Sequence, residues 1–166
     1  MAEPILAVAN LVLEPRPAEY QPSKPTRRPF DASRARLTER MGLTTLGCTV
    51  TAVKPGAAAY PFHSHRANDE LFYVLAGSGE LRLGERRLPV QAGDVVACPK
   101  GGPETAHQLV NTGDAELRYL AIASSIDPEV CEYPDSGKVG AYAGGGPGGL
   151  YHMSFASELR DYWDGE

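Results

Sequence analysis

Cysteine, histidine and long apolar segments are all scarce in this chain of 166 residues. The three cysteines, Cys48, Cys98 and Cys131, are odd in number and widely spaced, and no two of them form a CxxC pair. This pattern indicates neither a thiolate zinc site nor a dithiol redox pair. We therefore expect reduced and mostly buried thiols, as in a cytoplasmic protein.

No apolar run approaches the roughly 20 residues that a membrane-spanning helix needs. The N-terminal run from Met1 to Leu13 carries Glu3 and Pro4 in place of the basic residues that begin a secretory signal. The sequence thus predicts a cytoplasmic location and no membrane partner.

Long runs of one charge are also absent. The net charge is -5, with acidic and basic residues interspersed, so the chain has no basic footprint for nucleic acid and no polybasic patch for a membrane. The length is typical of one domain with one core.

Proline is abundant in one segment only. Five prolines between positions 15 and 29 lack the backbone N–H that a regular helix or a central strand requires. We therefore assign residues 1–42 to an extended N-terminal arm. Within the arm, Asp31 to Arg40 is predicted as a short helix with Asp31 as its N-cap.

From residue 43 the chain alternates short β-branched or aromatic runs with Gly, Pro and Asp. Strands of this length and spacing are typical of an antiparallel sandwich or barrel, and helical periodicity is absent. The fold class is predicted to be all-β, with residues 43–125 as the barrel core. The predicted strands are 46–53, 71–75, 80–83, 87–90, 95–98, 107–110 and 116–124.

Residues 126–166 are predicted as an irregular C-terminal tail that packs on the barrel. The glycine run at 144–149 lacks the following Lys-Ser/Thr of a phosphate-binding loop and is interpreted as a flexible loop. Residues 157–163 are predicted to make one helical turn that lays Leu159, Tyr162 and Trp163 on the barrel.

Three of the four histidines fall in the strand-rich region. His63 and His65 are two residues apart, so on an extended strand both imidazoles leave the same face. Glu70 begins the next apolar run, and His107 lies where a later antiparallel strand can return beside the first pair. Three neutral imidazoles and one carboxylate make an open site for a divalent metal.

The two segments that carry these residues resemble the motifs of the cupin superfamily. In the first, His63-x-His65, four residues and Glu70 lie between Gly56 and Gly77; in the second, Gly93, Pro99-x-Gly101, His107 and Asn111 follow in order. Two spacers are longer than the usual pattern, those that precede His63 and His107. The resemblance implies a double-stranded β-helix, or jelly-roll barrel, with one divalent ion (Zn, Fe, Mn, Ni or Co) on His63, His65, Glu70 and His107.

The segments 101–108 and 132–138 resemble a subgroup of small single-domain bacterial cupins that are often called sugar-phosphate isomerases. Three functions stay open: a metal-dependent enzyme such as a sugar-phosphate isomerase, an Fe(II)-dependent dioxygenase, and a non-catalytic small-molecule sensor. Lys54, Arg66 and Lys100 are the cations available for a phosphate, although each is better explained as a solvated surface charge. Under each of the three functions, the predicted partner is a small-molecule substrate or ligand.

Several residues beside the motifs receive structural assignments. Tyr60, Phe62, Phe72 and Tyr73 are predicted to pack in the core, with Phe72 on the side of Glu70 and Tyr73 on the other. Asn111 is predicted to stabilise the following turn, and His152 to lie at the surface. Because an open antiparallel barrel leaves edge strands, we expect a homodimer in which the 11–13 run and the proline-rich arm cover a neighbouring subunit.

Overall fold

Thirteen β-strands form the regular structure of residues 2–18, 21–145 and 148–166, which the computed structural model describes. Helical structure among these residues is confined to short 3-10 turns, such as Val8–Asn10 and Pro103–Thr105. The strands are β1 (Glu14–Pro15), β2 (Ala32–Arg36), β3 (Leu46–Val53), β4 (Ser64–His65), β5 (Glu70–Ala76), β6 (Ser78–Leu83), β7 (Arg86–Gln91), β8 (Val95–Cys98), β9 (His107–Val110), β10 (Leu117–Ser124), β11 (Glu129–Tyr133), β12 (Lys138–Ala143) and β13 (Leu150–Phe155).

The strands form three antiparallel sheets with the orders β1-β2-β3-β10-β5-β8, β7-β6-β9 and β13-β12-β11-β4. One apolar cluster joins the first two sheets, since Val53, Val74 and Leu117 of the six-stranded sheet share it with Leu81 and Leu109 of the three-stranded sheet. The inward residues therefore fill a common interior. The prediction of an all-β jelly-roll barrel is confirmed.

The helix predicted from Asp31 to Arg40 is wrong, because Ala32–Arg36 is strand β2. All five residues pair with β3, from Ala32 opposite Val53 to Arg36 opposite Thr49. The capping signal at Asp31 is local, whereas the open edge of β3 offers a full ladder of hydrogen bonds. The long-range pairing overrides the weak helical preference.

The N-terminal arm packs on its own chain. Its apolar side chains contact a buried cluster on the six-stranded sheet, and β1 extends the edge of that sheet through β2. The arm therefore covers an edge of the sheet in its own chain, whereas we expected it to cover an edge in a neighbouring subunit. The homodimer stays a prediction, which light scattering can test. The packing residues are Leu6, Val8, Leu11 and Leu13; Met1, Glu19 and Tyr20 of the predicted arm lie outside the described residues.

The irregular course predicted after residue 125 is also wrong. Strands β11, β12 and β13 form an antiparallel meander, and β11 pairs with β4, which places Cys131 opposite His65. The turn between β11 and β12 runs through Pro134 and Gly137, a turn signature between two strand-like runs. Of the predicted glycine loop, Gly146 and Pro147 lie outside the described residues.

The last residues do not pack on the barrel as predicted. Residues 157–163 form turns and irregular structure without a helix, and Leu159, Tyr162 and Trp163 are 84%, 83% and 72% exposed. None of the described residues belongs to a helix that is long and apolar enough to cross a membrane.

Asn111 stabilises the turn that follows it, as predicted. Its side-chain amide donates to the carbonyl oxygens of Val53 and Ala115, both at 2.8 Å, and its oxygen accepts from the backbone N–H of Gly113 at 3.0 Å. The side chain is fully buried, so these bonds satisfy groups that water cannot reach.

Gly77 closes the β5–β6 connection, and its replacement by alanine should destabilise the barrel. Its φ is +80°, and a Cβ there would lie 2.4 Å from the carbonyl oxygen of Glu116. The substitution therefore adds a backbone clash to the roughly 1–2 kcal/mol cost of a left-handed non-glycine residue. Gly137→Ala is the matched control, since Gly137 has φ +67° and nothing within 4 Å of its Cβ position.

Urea denaturation of both variants measures the difference. We expect the loss for Gly77→Ala to exceed that for Gly137→Ala clearly. Equal losses would show that the approach of Glu116 is unimportant.

Candidate metal centre

The structure brings together the four side chains that the motif spacing singled out. His63 and His107 form an antiparallel bridge, with N–O distances of 3.2 Å and 2.7 Å between their backbones. His65 ends the short strand β4, and Glu70 begins β5 between β8 and β10. The lengthened loop before His107 closes as a 3-10 turn, so the residue enters β9 in register with β6.

The four side chains converge closely enough for one ion to contact all of them. One ligand atom from each residue lies within 4.8 Å of the others, about twice the 2.0–2.2 Å of a typical bond from a metal to nitrogen or oxygen. The His107 Nε2 atom is 2.9 Å from the Glu70 Oε2 atom, and His65 Nε2 is 3.8 Å from the same oxygen. His107 is only 2% exposed.

The outer nitrogen of each imidazole faces an oxygen. The Nδ1 atom of His63 lies 2.9 Å from the carbonyl oxygen of Pro61, that of His107 lies 3.3 Å from the carbonyl oxygen of Thr105, and that of His65 lies 3.3 Å from a carboxylate oxygen of Glu129. These acceptors allow the neutral tautomer of each ring that carries its proton at Nδ1, the form whose Nε2 atom can bind a metal. The three Nε2 lone pairs then point inward.

In this tautomer the groups that meet at the site are all hydrogen-bond acceptors, and none of them can donate a hydrogen bond to another. Three Nε2 lone pairs and the Glu70 carboxylate meet, and the buried Nε2 of His65 has no hydrogen-bond partner among the described residues. A buried polar atom without a partner is costly. A divalent cation satisfies all four groups, and an N₃O set suits Zn, Fe, Mn, Ni or Co. The residues therefore fit the ion that the motif implies.

The ionisation states of His63 and Glu70 also favour a bound divalent cation. Burial and then the neighbouring His107 and His65 lower the pKa of His63 to about 4, so its imidazole is neutral at neutral pH. Burial opposes ionisation of Glu70, but the close approach of His107 and the nearby His65 outweigh it and hold the Glu70 pKa below its usual value. Neutral imidazoles and an ionised carboxylate are the forms that bind metals.

The low pKa of His63 predicts that the metal-free protein loses stability as the pH falls. Between pH 6.5 and about 4 the unfolded chain binds a proton at this residue that the folded chain does not, so the free energy of unfolding decreases through this window. The depressed Glu70 pKa adds a loss below its ordinary value of 4.5.

Thermal unfolding between pH 7.5 and 4, with a chelator present, measures this loss. A His63→Gln variant should show a shallower decline than the parent. Identical slopes would contradict the assignment.

Glu129 is a residue of the site that sequence reasoning missed. One of its carboxylate oxygens accepts from the backbone N–H groups of Arg66 and Ala67, both at 3.0 Å, and from that of Val130 at 2.8 Å. The other oxygen contacts His65 Nδ1 and the Asn68 amide. Glu129 thus connects β11 to the loop after β4 and orients His65.

A cavity of about 400 Å³ opens above the four side chains. Its walls come from the six-stranded sheet, from β9 and from β11 and β12, so the C-terminal meander builds one side of it. Besides the four candidate ligands, the lining consists of Gly47, Thr49, Thr51, Tyr60, Phe72, Gln108, Leu109, Tyr119, Ala121, Ala123, Cys131, Tyr133 and Tyr142.

Two tyrosines of the meander form a hydroxyl pair in this wall. The Tyr133 and Tyr142 hydroxyl oxygens are 3.1 Å apart, and the Tyr133 ring stacks on the His63 imidazole at an interplanar angle of 17°. Burial raises the pKa of both phenols. Both hydroxyls are therefore protonated at neutral pH, and one proton remains beyond the shared bond.

The aromatic assignments are mostly confirmed. Phe72 is buried on the side of Glu70 and lines the cavity, and Phe62 is buried under the guanidinium of Arg82. Tyr60 lines the cavity, but Tyr73 is 41% exposed on the opposite face, so its assignment to the core is wrong. Successive side chains of β5 point to opposite faces of the sheet, so Tyr73, next to the inward-facing Phe72, points away from the core.

The cations considered for a phosphate do not line the cavity. Lys54 pairs with Glu116 at 3.5 Å, Arg66 pairs with Glu132, and Lys100 is exposed. They are surface charges. His152 is exposed on β13, as predicted.

The cysteines are free, as predicted. Cys98 and Cys131 are buried, whereas Cys48 is only half-buried. Burial raises the pKa of the Cys131 thiol to about 12. The thiol is therefore protonated, although it lies in the cavity wall 3.3 Å from His65 Nδ1.

Comparison with known proteins places this geometry in a family. Residues 49–123 match the family described as the cupin domain. Protein SchB of Streptomyces halstedii is 33% identical over 120 residues, which cover 69% of this chain and 78% of SchB. A crystal structure of a sugar phosphate isomerase from a cupin superfamily, from Silicibacter pomeroyi, is 26% identical with a TM-score of 0.70 and covers 80% of this chain and 82% of its own.

Other curated relatives match over less of their length. The oxalate-binding protein of Thermotoga maritima is 31% identical over 68 residues, or 41% of this chain, and the chain spans 54% of that relative. Residues 49–123, which match the cupin domain, contain both motifs. The chain belongs to the cupin superfamily.

Proposed function

We propose that the chain binds one divalent ion through His63, His65, Glu70 and His107 and acts as a metal-dependent enzyme of the isomerase type on a small oxygen-bearing molecule. The observation that carries this proposal is the convergence of four acceptor groups, one of them buried without a partner, at the floor of a cavity. A purely structural cluster has no need of an adjoining cavity.

The ion, when bound, would act as a Lewis acid on a carbonyl or hydroxyl oxygen of the substrate. The chain's own residues supply the rest. Tyr133 and Tyr142 hold a proton at their paired hydroxyl oxygens, in reach of a ligand in the cavity. Phe72 and Leu109 exclude water from the wall beside His107, which strengthens polar interactions within the site.

The similarity to a structure called a sugar phosphate isomerase supports proton transfer as the reaction type, since the two chains align over four fifths of their length. Fold similarity alone is a weak guide to chemistry. The geometry described above adds four convergent candidate ligands and a proton-bearing hydroxyl pair to the support from that similarity.

An Fe(II)-dependent dioxygenase is the second candidate. The apolar residues Phe72, Leu109, Ala121 and Ala123 in the cavity wall favour it, because O₂ and apolar substrates both partition into such surroundings, and an open N₃O site suits Fe(II).

Deuterium exchange separates these functions. Protein loaded in turn with Zn, Mn, Fe, Co and Ni, with the content checked by elemental analysis, is incubated in D₂O with aldoses, ketoses and aromatic hydroxyketones, and NMR follows label at the carbon beside the carbonyl. We expect metal-dependent label that disappears in His65→Ala, with His152→Ala as the matched control. Oxygen uptake confined to the iron form would replace the proposal by a dioxygenase. Bound metal with neither activity would replace it by a binding module.

A further inference from the structure

The cavity wall contains no cationic side chain among the described residues. Arg16 stacks 4.7 Å from the Tyr60 ring centre and donates to the carbonyl oxygen of Ala59, and Arg34 contacts the Tyr60 hydroxyl at 3.4 Å; neither lines the cavity. Arg82 forms a bidentate pair with Asp135. The nearby cations are therefore occupied elsewhere.

A phosphorylated ligand would lack charge compensation in this cavity. Phosphate sites in proteins use Arg, Lys or a helix N-terminus, and the described walls offer none. A divalent ion beside the ionised Glu70 leaves one net positive charge, so a phosphate dianion would leave a net negative charge buried among tyrosine and alanine side chains. Burial of uncompensated charge is strongly unfavourable.

The size and lining of the cavity favour a ring. An apolar cavity of about 150 Å³ holds one benzene molecule, so about 400 Å³ admits two fused rings. Phe72, Tyr119 and Tyr133 supply aromatic surface, and Ala121 and Ala123 leave flat open space on the strand β10.

The cavity surface is mostly apolar, which disfavours a sugar, although hydroxyl groups of Thr49, Thr51, Tyr60 and Tyr119 also line it. The amide of Gln108 is occupied at both ends, since it donates to the carbonyl oxygen of Tyr60 at 2.7 Å and accepts from Arg82 at 3.0 Å. On the side of the meander, the hydroxyl pair of Tyr133 and Tyr142 offers one free proton to a ligand oxygen. A ligand with oxygens on one edge and an apolar body matches this distribution.

We infer that the ligand is a flat one- or two-ring phenol or enol with neighbouring oxygens and at most one negative charge, which contacts the metal by its oxygens and the tyrosine and alanine wall by its rings. This inference rests on the proposed function, because the ion supplies the contact for the oxygens. It names the substrate class for the same site.

Isothermal titration of protein that carries one zinc ion per chain tests the class. The probes are 2,3-dihydroxynaphthalene, catechol, fructose 6-phosphate and inorganic phosphate, and elemental analysis after gel filtration verifies that zinc is retained. We expect the naphthalenediol to bind about tenfold more tightly than catechol, because its second ring buries further apolar surface. The two phosphates should bind more weakly than either diol.

Two matched variants locate the binding. Ala123→Leu fills the cavity from β10 without changing a candidate metal ligand, and it should weaken the naphthalenediol by about tenfold or more, roughly 1.4 kcal/mol. Ala97→Leu adds the same group at an exposed position on β8 and should leave the affinity unchanged.

The outcomes separate the inference from the proposed function. Protein that binds no zinc removes the basis of both. If zinc is retained, tighter binding of fructose 6-phosphate or no binding of either diol overturns the substrate class alone. Protein that binds zinc but loses it to the diol overturns the substrate class as well. Equal effects of Ala123→Leu and Ala97→Leu would place the ligand outside the cavity and overturn it as well.

Discussion

Replacing His107 by alanine should reduce the affinity for a divalent ion by more than the roughly 10–100-fold that loss of a supporting residue causes. His107 is 2% exposed, and its Nε2 atom lies 2.9 Å from Glu70, so no water-exposed group can take its place. His63→Ala should act in the same direction. Competition with a chromophoric chelator measures the affinity, and elemental analysis measures the metal content.

His152→Ala is the matched control for this experiment, because His152 is exposed on β13 and remote in sequence from both motifs. Circular dichroism verifies that His107→Ala keeps its β-structure. Unchanged metal affinity in a folded His107→Ala protein would remove this residue from the site.

Replacing Glu129 by alanine should impair both stability and metal binding. Two backbone N–H groups, those of Ala67 and Val130, lose the acceptor that Glu129 supplies, whereas the N–H of Arg66 keeps the Val130 carbonyl oxygen at 2.9 Å. Each donor that is left without a partner costs about 1–3 kcal/mol when it is buried, so two partly buried donors predict a loss of about 2 kcal/mol. His65 loses the group that orients its ring, which should weaken metal binding by about 10–100-fold.

Two variants separate these effects. Glu129→Gln keeps an acceptor for the backbone groups but not the charge beside His65, so it should spare much of the stability while metal affinity still falls. Glu132→Ala, on the same strand, breaks only a partly exposed pair with Arg66 and should cost less than about 1 kcal/mol. The proposed role of Glu129 fails if its alanine variant unfolds no more easily than Glu132→Ala.

The candidate ligands were predictable because local spacing carries the information. His63 and His65 share a face by strand geometry alone, and the His107 register survives its longer loop because the backbone bridge to His63 holds it. The barrel core between β3 and β10 follows from short strands and turn residues for the same reason.

The other wall of the site was not predictable in this way. Tyr133 and Tyr142 reach the cavity, and Glu129 reaches His65, because β11 pairs with β4. Partners more than sixty residues apart leave no mark on local periodicity. The strand-like residues Val130, Cys131 and Tyr133, followed by the turn residues 134–137, were available as a hairpin signal. The same kind of pairing turned the expected helix after Asp31 into β2.

Charge placement also required the structure. Lys54, Arg66 and Lys100 lie close to the motifs in sequence, yet none of them lines the cavity. A strand points successive side chains to opposite faces, but the loops that carry Arg66 and Lys100 have no such rule. Their carboxylate partners and exposure decide that they are surface groups.

Anomalous diffraction from crystals grown with a single added metal tests the central claim most directly. We predict one strong peak per chain, bonded to the Nε2 atoms of His63, His65 and His107 and to a carboxylate oxygen of Glu70 at about 2.0–2.2 Å. A peak elsewhere, or none at this position in metal-saturated protein, would contradict the account.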